Sequence, residues 1–499
     1  MSAPSFLDFT PRHAAPSSEV LAAPSQRVPV AADGHCFAGA ERRATDPVSL
    51  LSREQDDLCA TAVDADEIAA GLEASGLSDG RVQQAYGLDD VFQLADQLFR
   101  RVPRRLPPLD RSIPNPWTVK PMRLVVRGLI FALPGLMYVA LSGVGAGASS
   151  EVALVLGLSV GWATSQALAY LGHALMGRRA AAASRALLFR VLIAIVIVTE
   201  LVAQVTVASG RSTTLVVALA GGQVVYMCAA AALLVVGGEQ AIVISLSPGV
   251  VAAIAVVAFG DRVPDAAAAA AVALSLALTV SCALWMTRPR SRTAVRLRDR
   301  LTGSDLATAS WHGTYGFLCA ALVSLPVLMR GSVPLGAVGL AVVPLVWSMG
   351  VAEWQVFRFR GDTHDLLQQV GTLNAFAKRA RRAAAISVGG YLAILVASSV
   401  AFYALVRTLF PTLTRTDLVS AFAVYDLVAA ALLIALMLNI CGAVRQVVAT
   451  LVVVLVATGL TVWATGRVGL AEAAVAITVL VLALTWVAWG PLGDATRLV

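Results

Sequence analysis

The chain has 499 residues, of which 58% are hydrophobic and only 14% charged, well below the roughly 25% charged residues of soluble globular domains. Its formal charge is +7, from 38 Lys and Arg against 31 Asp and Glu, and its mean hydropathy is +0.76. The arginines fall between apolar runs and are not interleaved with aromatics, so they read as topology signals. That excludes a nucleic-acid partner and a soluble globular fold, and makes the lipid bilayer the solvent.

Residues 1–50 are rich in alanine, proline, serine and charge without an apolar period, the composition of a disordered tail. They contain no apolar core of a signal peptide, so the first membrane segment is expected to direct insertion. Residues 51–119 read as a small cytoplasmic helical hairpin and linker. In VDADEIAAGLEAS (63–75) Ile68, Leu72 and Ala69 share a face, and in LDDVFQLADQLFRRV (88–102) Val91, Leu94, Leu98 and Phe99 do. Asp64 or Asp66 caps the first helix, and Asp89 sits in the first turn of the second. Such a hairpin is too small to be secure alone, which points to docking on the membrane region or on a protein partner. The prolines of RRVPRRLPPLDRSIPNPWTVKP then exclude a long regular helix.

Twelve apolar segments follow, at residues 122–142, 150–172, 186–208, 212–237, 240–260, 265–286, 311–329, 333–354, 384–406, 418–438, 444–465 and 470–490. Each is close to the roughly 20 residues that a membrane helix needs. The basic clusters lie on alternate connections: Arg123 and Arg127; Arg178, Arg179 and Arg185; Arg288 to Arg300; Arg358 and Arg360 with Lys378 to Arg382; and Arg445. The other connections carry isolated residues such as Arg211, Arg262 and Arg467. With twelve segments the positive-inside rule puts both termini in the cytoplasm of a multi-pass protein of the bacterial plasma membrane. The expected fold is all-α, with a first six-helix bundle at 120–286, a basic cytoplasmic linker at 287–310, a second bundle at 311–490 and a cytoplasmic tail at 491–499.

The two halves repeat. LPGLM (133–137) and LPVLM (325–329) are 192 residues apart. WATSQALAYLGHALMGR (162–178) answers VWSMGVAEWQVFRFR (346–360), each leading into an arginine-rich connection. Six helices per half make the repeats parallel; shared apolar composition is the competing account. Two six-helix bundles joined by a basic linker resemble the multidrug/oligosaccharidyl-lipid/polysaccharide exporter superfamily. That resemblance implies a cavity between the bundles, exposed alternately to each side of the membrane. The major facilitator superfamily has the same layout, but its acidic-basic loop would fall at GRRAAAASR (177–185), which has no aspartate. The Ala, Val and Arg bias with YGLDDVFQLADQLF also resembles integral membrane proteins of actinobacteria. No binding residue transfers from either superfamily.

Polar groups at membrane depth need partners or water. Three carboxylates stand out: Glu200, Glu353 and Asp426. Gln166, Tyr170 and His173 share one helix face, and Glu200 and Gln204 are one turn apart. Two readings stay open for these residues: a cavity or ion-coupling path that receives a hydroxyl-rich or cationic head group, or interhelical hydrogen-bond networks. Pro134, Pro326, Pro344 and the pair Pro248–Gly249 in SLSPGVV are hinge candidates, with a fixed packing kink as the alternative. Arg190 reads as a snorkelling anchor and the terminal tryptophans as interfacial belts.

Enzyme signatures are missing. There is no HExxH, Walker A or Rossmann glycine pattern, and GLSVG (157–161) lies inside an apolar helix, where Ser159 is a packing residue. The six cysteines are scattered as small apolar fillers, and no cofactor or metal site is expected. Asp362 and Asp365 of RGDTHDLL read as a solvated loop. The sequence therefore favours a non-enzymatic transporter, or flippase-like exporter, of lipid-linked or polysaccharide material. The alternative is a membrane scaffold for envelope, polysaccharide or division machinery.

Overall fold

The computed structural model describes residues 46–103 except 63, the helical positions 128, 133–135 and 137, and residues 148–209, 214–290, 300–370, 372–409 and 414–497. The expected tail, the proline-rich linker and most of the first apolar segment lie outside the described residues. The chain divides into two units, one within His13–Pro114 and one comprising Asn115–Val499.

The smaller unit has five helices: α1 (Pro47–Glu54), α2 (Asp56–Thr61), α3 (Ala65–Ala74), α4 (Asp79–Tyr86) and α5 (Val91–Arg101). The two helices expected from the sequence are α3 and α5. The unit is not a two-helix hairpin, because α1, α2 and α4 add Val48, Cys59 and Val82 to one shared core. These three helices are too short to show a periodicity. Ile68, Val82, Val91, Leu94 and Leu98 are completely buried. Aspartates start three of the helices: Asp46 accepts from Val48 N, Asp64 from Glu67 N and Asp90 from Gln93 N, each satisfying an orphan donor. Asp79 ties α4 to α5 by accepting from Val91 N at 3.0 Å. The Arg101 guanidinium bonded to Asp46 holds its carboxyl below the usual carboxylate range. Burial pushes the Cys59 thiol up.

The larger unit is an all-α polytopic membrane domain. Its helices are α6 (Ala148–Gly177), α7 (Ala181–Ala208), α8 (Thr214–Val235), α9 (Glu239–Phe259), α10 (Asp265–Thr287), α11 (Gly303–Leu328), α12 (Leu335–Trp347), α13 (Met349–Gln369), α14 (Leu373–Leu409), α15 (Arg415–Ile440), α16 (Val444–Thr465) and α17 (Leu470–Ala488). Among the described residues eleven helical spans are long and apolar enough to cross a membrane, α12 and α13 together making one. They coincide with the second to twelfth apolar segments.

Two features depart from the sequence reading. The eighth segment is two helices, because Pro344 removes a backbone donor and the chain breaks at Ser348. The ninth helix is 37 residues long, about 55 Å at 1.5 Å per residue. Lys378 to Arg382 therefore lie on a helix projecting past the bilayer core, and Asp362 and Asp365 lie on α13, outside any loop.

The apolar core forms two main clusters. One gathers Leu168, Leu188, Leu192, Cys228, Leu233, Ile242 and Ala283 from α6–α10. The other gathers α11–α17 around α15, where Leu418, Val428, Ala431 and Leu438 are fully buried. Trp162 of α6 packs against this second cluster. Arg381 of α14 secures the end of α17 by donating to the Trp489 carbonyl at 2.8 Å and lying over its ring.

Candidate functional site

The polar face of α6 is turned toward α11. Gln166 packs where a Cβ on Gly316 would be, 2.9 Å from its Cγ, and the same Cβ would lie 2.8 Å from the Trp162 carbonyl oxygen. Gly313 approaches the Ala163 carbonyl in the same way, at 3.3 Å. One turn nearer the arginine-rich face, Tyr170 stacks on His312 with ring centroids 4.7 Å apart. His173, a further turn along, is half-buried. The stripe thus lies at a tight helix–helix seam made possible by glycines, the membrane counterpart of close small-residue packing. His312 was not singled out in the sequence, although Thr308 and Tyr315 lie at helical spacing from it and could have signalled a polar face.

Both ends of this seam carry bidentate ion pairs. Arg178, just past the end of α6, donates to both oxygens of Asp305 at 2.8 and 2.6 Å. Asp305 is also the N3 residue of a capping box with Thr302. At the other end Arg330 donates to both oxygens of Glu151 at 2.6 and 3.1 Å. Sequence spacing cannot show these pairs, since their partners are 127 and 179 residues apart.

The second bundle holds a buried polar series along α14. The Ser348 hydroxyl at the α12–α13 break is 2.8 Å from the Tyr391 hydroxyl. Ser399, two turns further on, donates to Asp426 Oδ1 of α15 at 2.7 Å. Toward the arginine-rich face Ser387 is completely buried and Gln355 is 1% exposed; Ser387 Oγ and Gln355 Oε1 have no hydrogen-bond partner among the described residues. Gln355 presses on Gly390, whose missing side chain makes the room. Asp426 is half-buried, and among the described residues it forms no ion pair. Glu353 on α13 is 8% exposed. Tyr425 hydrogen-bonds the Val323 carbonyl at 3.4 Å, one residue from the carbonyl that Pro326 deprives of its donor.

The pair Glu200 and Gln204 has the opposite setting. Gln204 Nε2 donates to Glu200 Oε1 at 2.9 Å, but both are exposed. They share the last turns of α7 with Leu201, Val202 and Val205, which are also exposed. Glu200 is thus exposed, and its hydrogen bond to Gln204 stays within its own helix.

The backbone around Pro248 finds side-chain partners. Ser247 donates to the Ile244 carbonyl that the proline leaves without its donor, and Gly249 N donates to Ser275 Oγ of α10 at 2.9 Å. Met137 of the first segment packs onto Gly249. Pro134 and Pro326 also lie within helices. Ser159 donates to the Val155 carbonyl inside α6.

No protein-family model and no curated protein matches the chain. Several solved structures resemble it, three of which follow. One is MATE in the straight conformation, with 18% identity and a TM-score of 0.48 over 76% of this chain and 96% of that one. Another is an outward-facing multidrug resistance MATE family transporter of the MOP superfamily, with 15% identity and a TM-score of 0.47 over 76% and 95%. The third is a MOP superfamily transporter from Pyrococcus furiosus, with 14% identity and a TM-score of 0.46 over 75% and 95%.

Proposed function

We propose that this protein is an alternating-access transporter, or flippase-like exporter, of lipid-linked or polysaccharide material, coupled to an ion through Asp426. The carrying observation is Asp426 itself. Among the described residues it is a half-buried carboxylate midway along the most enclosed membrane helix, bonded to the Ser399 hydroxyl and to no basic side chain. A charge at that depth costs at least about 2.5 kcal/mol, and a bound cation or proton removes the cost. Gln166, Tyr170 and His173 lie at the junction of the bundles, and Glu353 is buried in the second bundle. Glu200 and Gln204 give a polar pair within an exposed apolar surface, suited to a head group carried on a lipid tail. In this reading both termini are cytoplasmic, and the five-helix unit recruits a protein partner through exposed apolar residues such as Leu50 and Phe92.

A scaffold reading is favoured by one feature, the α6–α11 seam closed at both ends. The two separate in proteoliposomes holding a fluorescent polyisoprenyl-linked sugar, with an impermeant reductant outside. A transporter moves the label across the bilayer, and Asp426→Asn abolishes any dependence on a proton or sodium gradient. A scaffold gives the same protected fraction as empty vesicles.

A further inference from the structure

Two buried oxygens of the second bundle have hydrogen-bonding capacity that no protein group fills. Ser387 Oγ on α14 and Gln355 Oε1 on α13 have no partner among the described residues, although Ser387 is completely buried and Gln355 is 1% exposed. The two belong to one seam. The Gln355 amide nitrogen lies 2.8 Å from where a Cβ on Gly390 would be, and Ser387 is one turn before Gly390 on the adjoining face of α14. Buried polar groups of this kind are satisfied by ordered water.

The seam lies just beneath the arginine-rich face. Gln355 is one turn from Arg358, whose side chain is 43% exposed, and Ser387 is five residues from the exposed Arg382, about 8 Å along α14. On the other side Tyr391 follows Ser387 by one turn, and its hydroxyl is 2.8 Å from that of Ser348. Ser348 lies seven residues from Gln355, about 10 Å along α13. The Tyr391 side chain therefore spans from the level of the orphan oxygens toward mid-membrane, within reach of the charge on Asp426. Ser348 itself donates to the Leu345 carbonyl, so Tyr391 is the donor between the two hydroxyls, and its oxygen is left able to accept a further hydrogen bond.

Few ionisable groups face Asp426 from the helices packed on α15. Among the described residues α14 offers Tyr391, whereas α12 and the central stretches of α16 and α17 carry none. On α11, Tyr315 and Cys319 are hydrogen-bonded to each other. Tyr425, next to Asp426 on α15, bonds the Val323 carbonyl.

We propose that Gln355, Ser387, Tyr391 and Ser348 line a water-bearing path that carries protons between the arginine-rich face and Asp426, so that the coupling ion is a proton. The inference deepens the reading of Asp426 as the ion-coupling carboxylate and rests on it. A proton enters from bulk water and passes by exchange of O–H bonds along water and the hydroxyls. Each hydroxyl releases one proton as it takes another, and the last proton binds the Asp426 carboxylate; no electron moves. A metal cation lacks such a route, because the four lining groups are neutral and Glu353, two residues from Gln355, faces another side of α13.

The test reads the Asp426 carboxyl itself and needs no substrate. Infrared spectra are recorded by attenuated total reflection on the full chain in lipid bilayers while the buffer is exchanged from H2O to D2O, and the protonated-carboxyl band missing in Asp426→Asn assigns the signal. Its deuterium shift is expected to be about tenfold slower in Gln355→Leu/Ser387→Ala and in Tyr391→Phe than in the unaltered chain. Cooperative melting of each variant checks its fold, and either variant alone suffices for the comparison. Equal rates in the unaltered chain and the variants overturn the path. Absence of the band from the unaltered chain at every pH overturns the proposal as well, since Asp426 then takes up no proton. Slowed exchange combined with no movement of the fluorescent lipid-linked sugar would keep the path and reject the transport reading.

Discussion

Helices α15 and α7 treat similar sequences differently. In α15, 72% of an apolar 18-residue stretch is buried, against 22% in α7. Asp426 and Glu200 look alike as letters, each a lone carboxylate in an apolar run. Asp426 is half-enclosed and bonded to a neighbouring helix, while Glu200 is exposed and bonded to its own. Enclosure is set by how many helices surround a position, and it decides which carboxylate has its charge confined.

The largest effect should separate these two helices by packing alone. Leu438→Ala, at a completely buried site on α15, is expected to cost about 2–5 kcal/mol. Leu201→Ala on α7, 56% exposed, should stay within about 0.5 kcal/mol. Thermal unfolding in detergent measures both, and equal losses would break the contrast. Next is the seam that joins the bundles. Gly316→Val forces a side chain into the 2.8 Å approach to Trp162 and should cost about 1–3 kcal/mol. Gly313→Ala, at 3.3 Å, should cost less by the same assay.

A smaller effect compares the polar pairs. Ser399→Ala removes a largely buried hydrogen bond to Asp426 and should cost about 1 kcal/mol. Gln204→Ala removes an exposed one and should leave the melting temperature unchanged. The smallest effect lies in the five-helix unit. Because Asp46 titrates lower when folded than its usual 3.8, its contribution is fully present above that value and is lost as pH falls through the folded-state pKa. Arg101→Gln should weaken this dependence by slightly lowering stability above about pH 4 while leaving it unchanged at lower pH, as circular dichroism would read.

Eleven spans were legible because a membrane helix must satisfy its backbone internally, which makes length and hydropathy nearly sufficient. The break at Ser348 was half-legible, since Pro344 announces it and only the hydroxyl of Tyr391 fixes where it falls. The face shared by Gln166 and Tyr170 was legible from spacing, but its partner was not, because glycines on α11 carry no signal of what they receive. Asp305 and Arg178 looked like ordinary flanking charges, and their pairing depends on tertiary approach. Three helices of the small unit stayed hidden for want of length.

The most direct test of a moving central pathway is labelling of Ala423→Cys, exposed and one turn from Asp426, by a membrane-impermeant maleimide in a cysteine-free protein. The reagent is added from each side of sealed vesicles, with and without an imposed proton or sodium gradient. Alternating access predicts reaction from both sides, with the gradient shifting the balance between them. Absence of reaction from either side, in protein that still melts cooperatively, would place Ala423 against lipid or sealed packing and contradict the account.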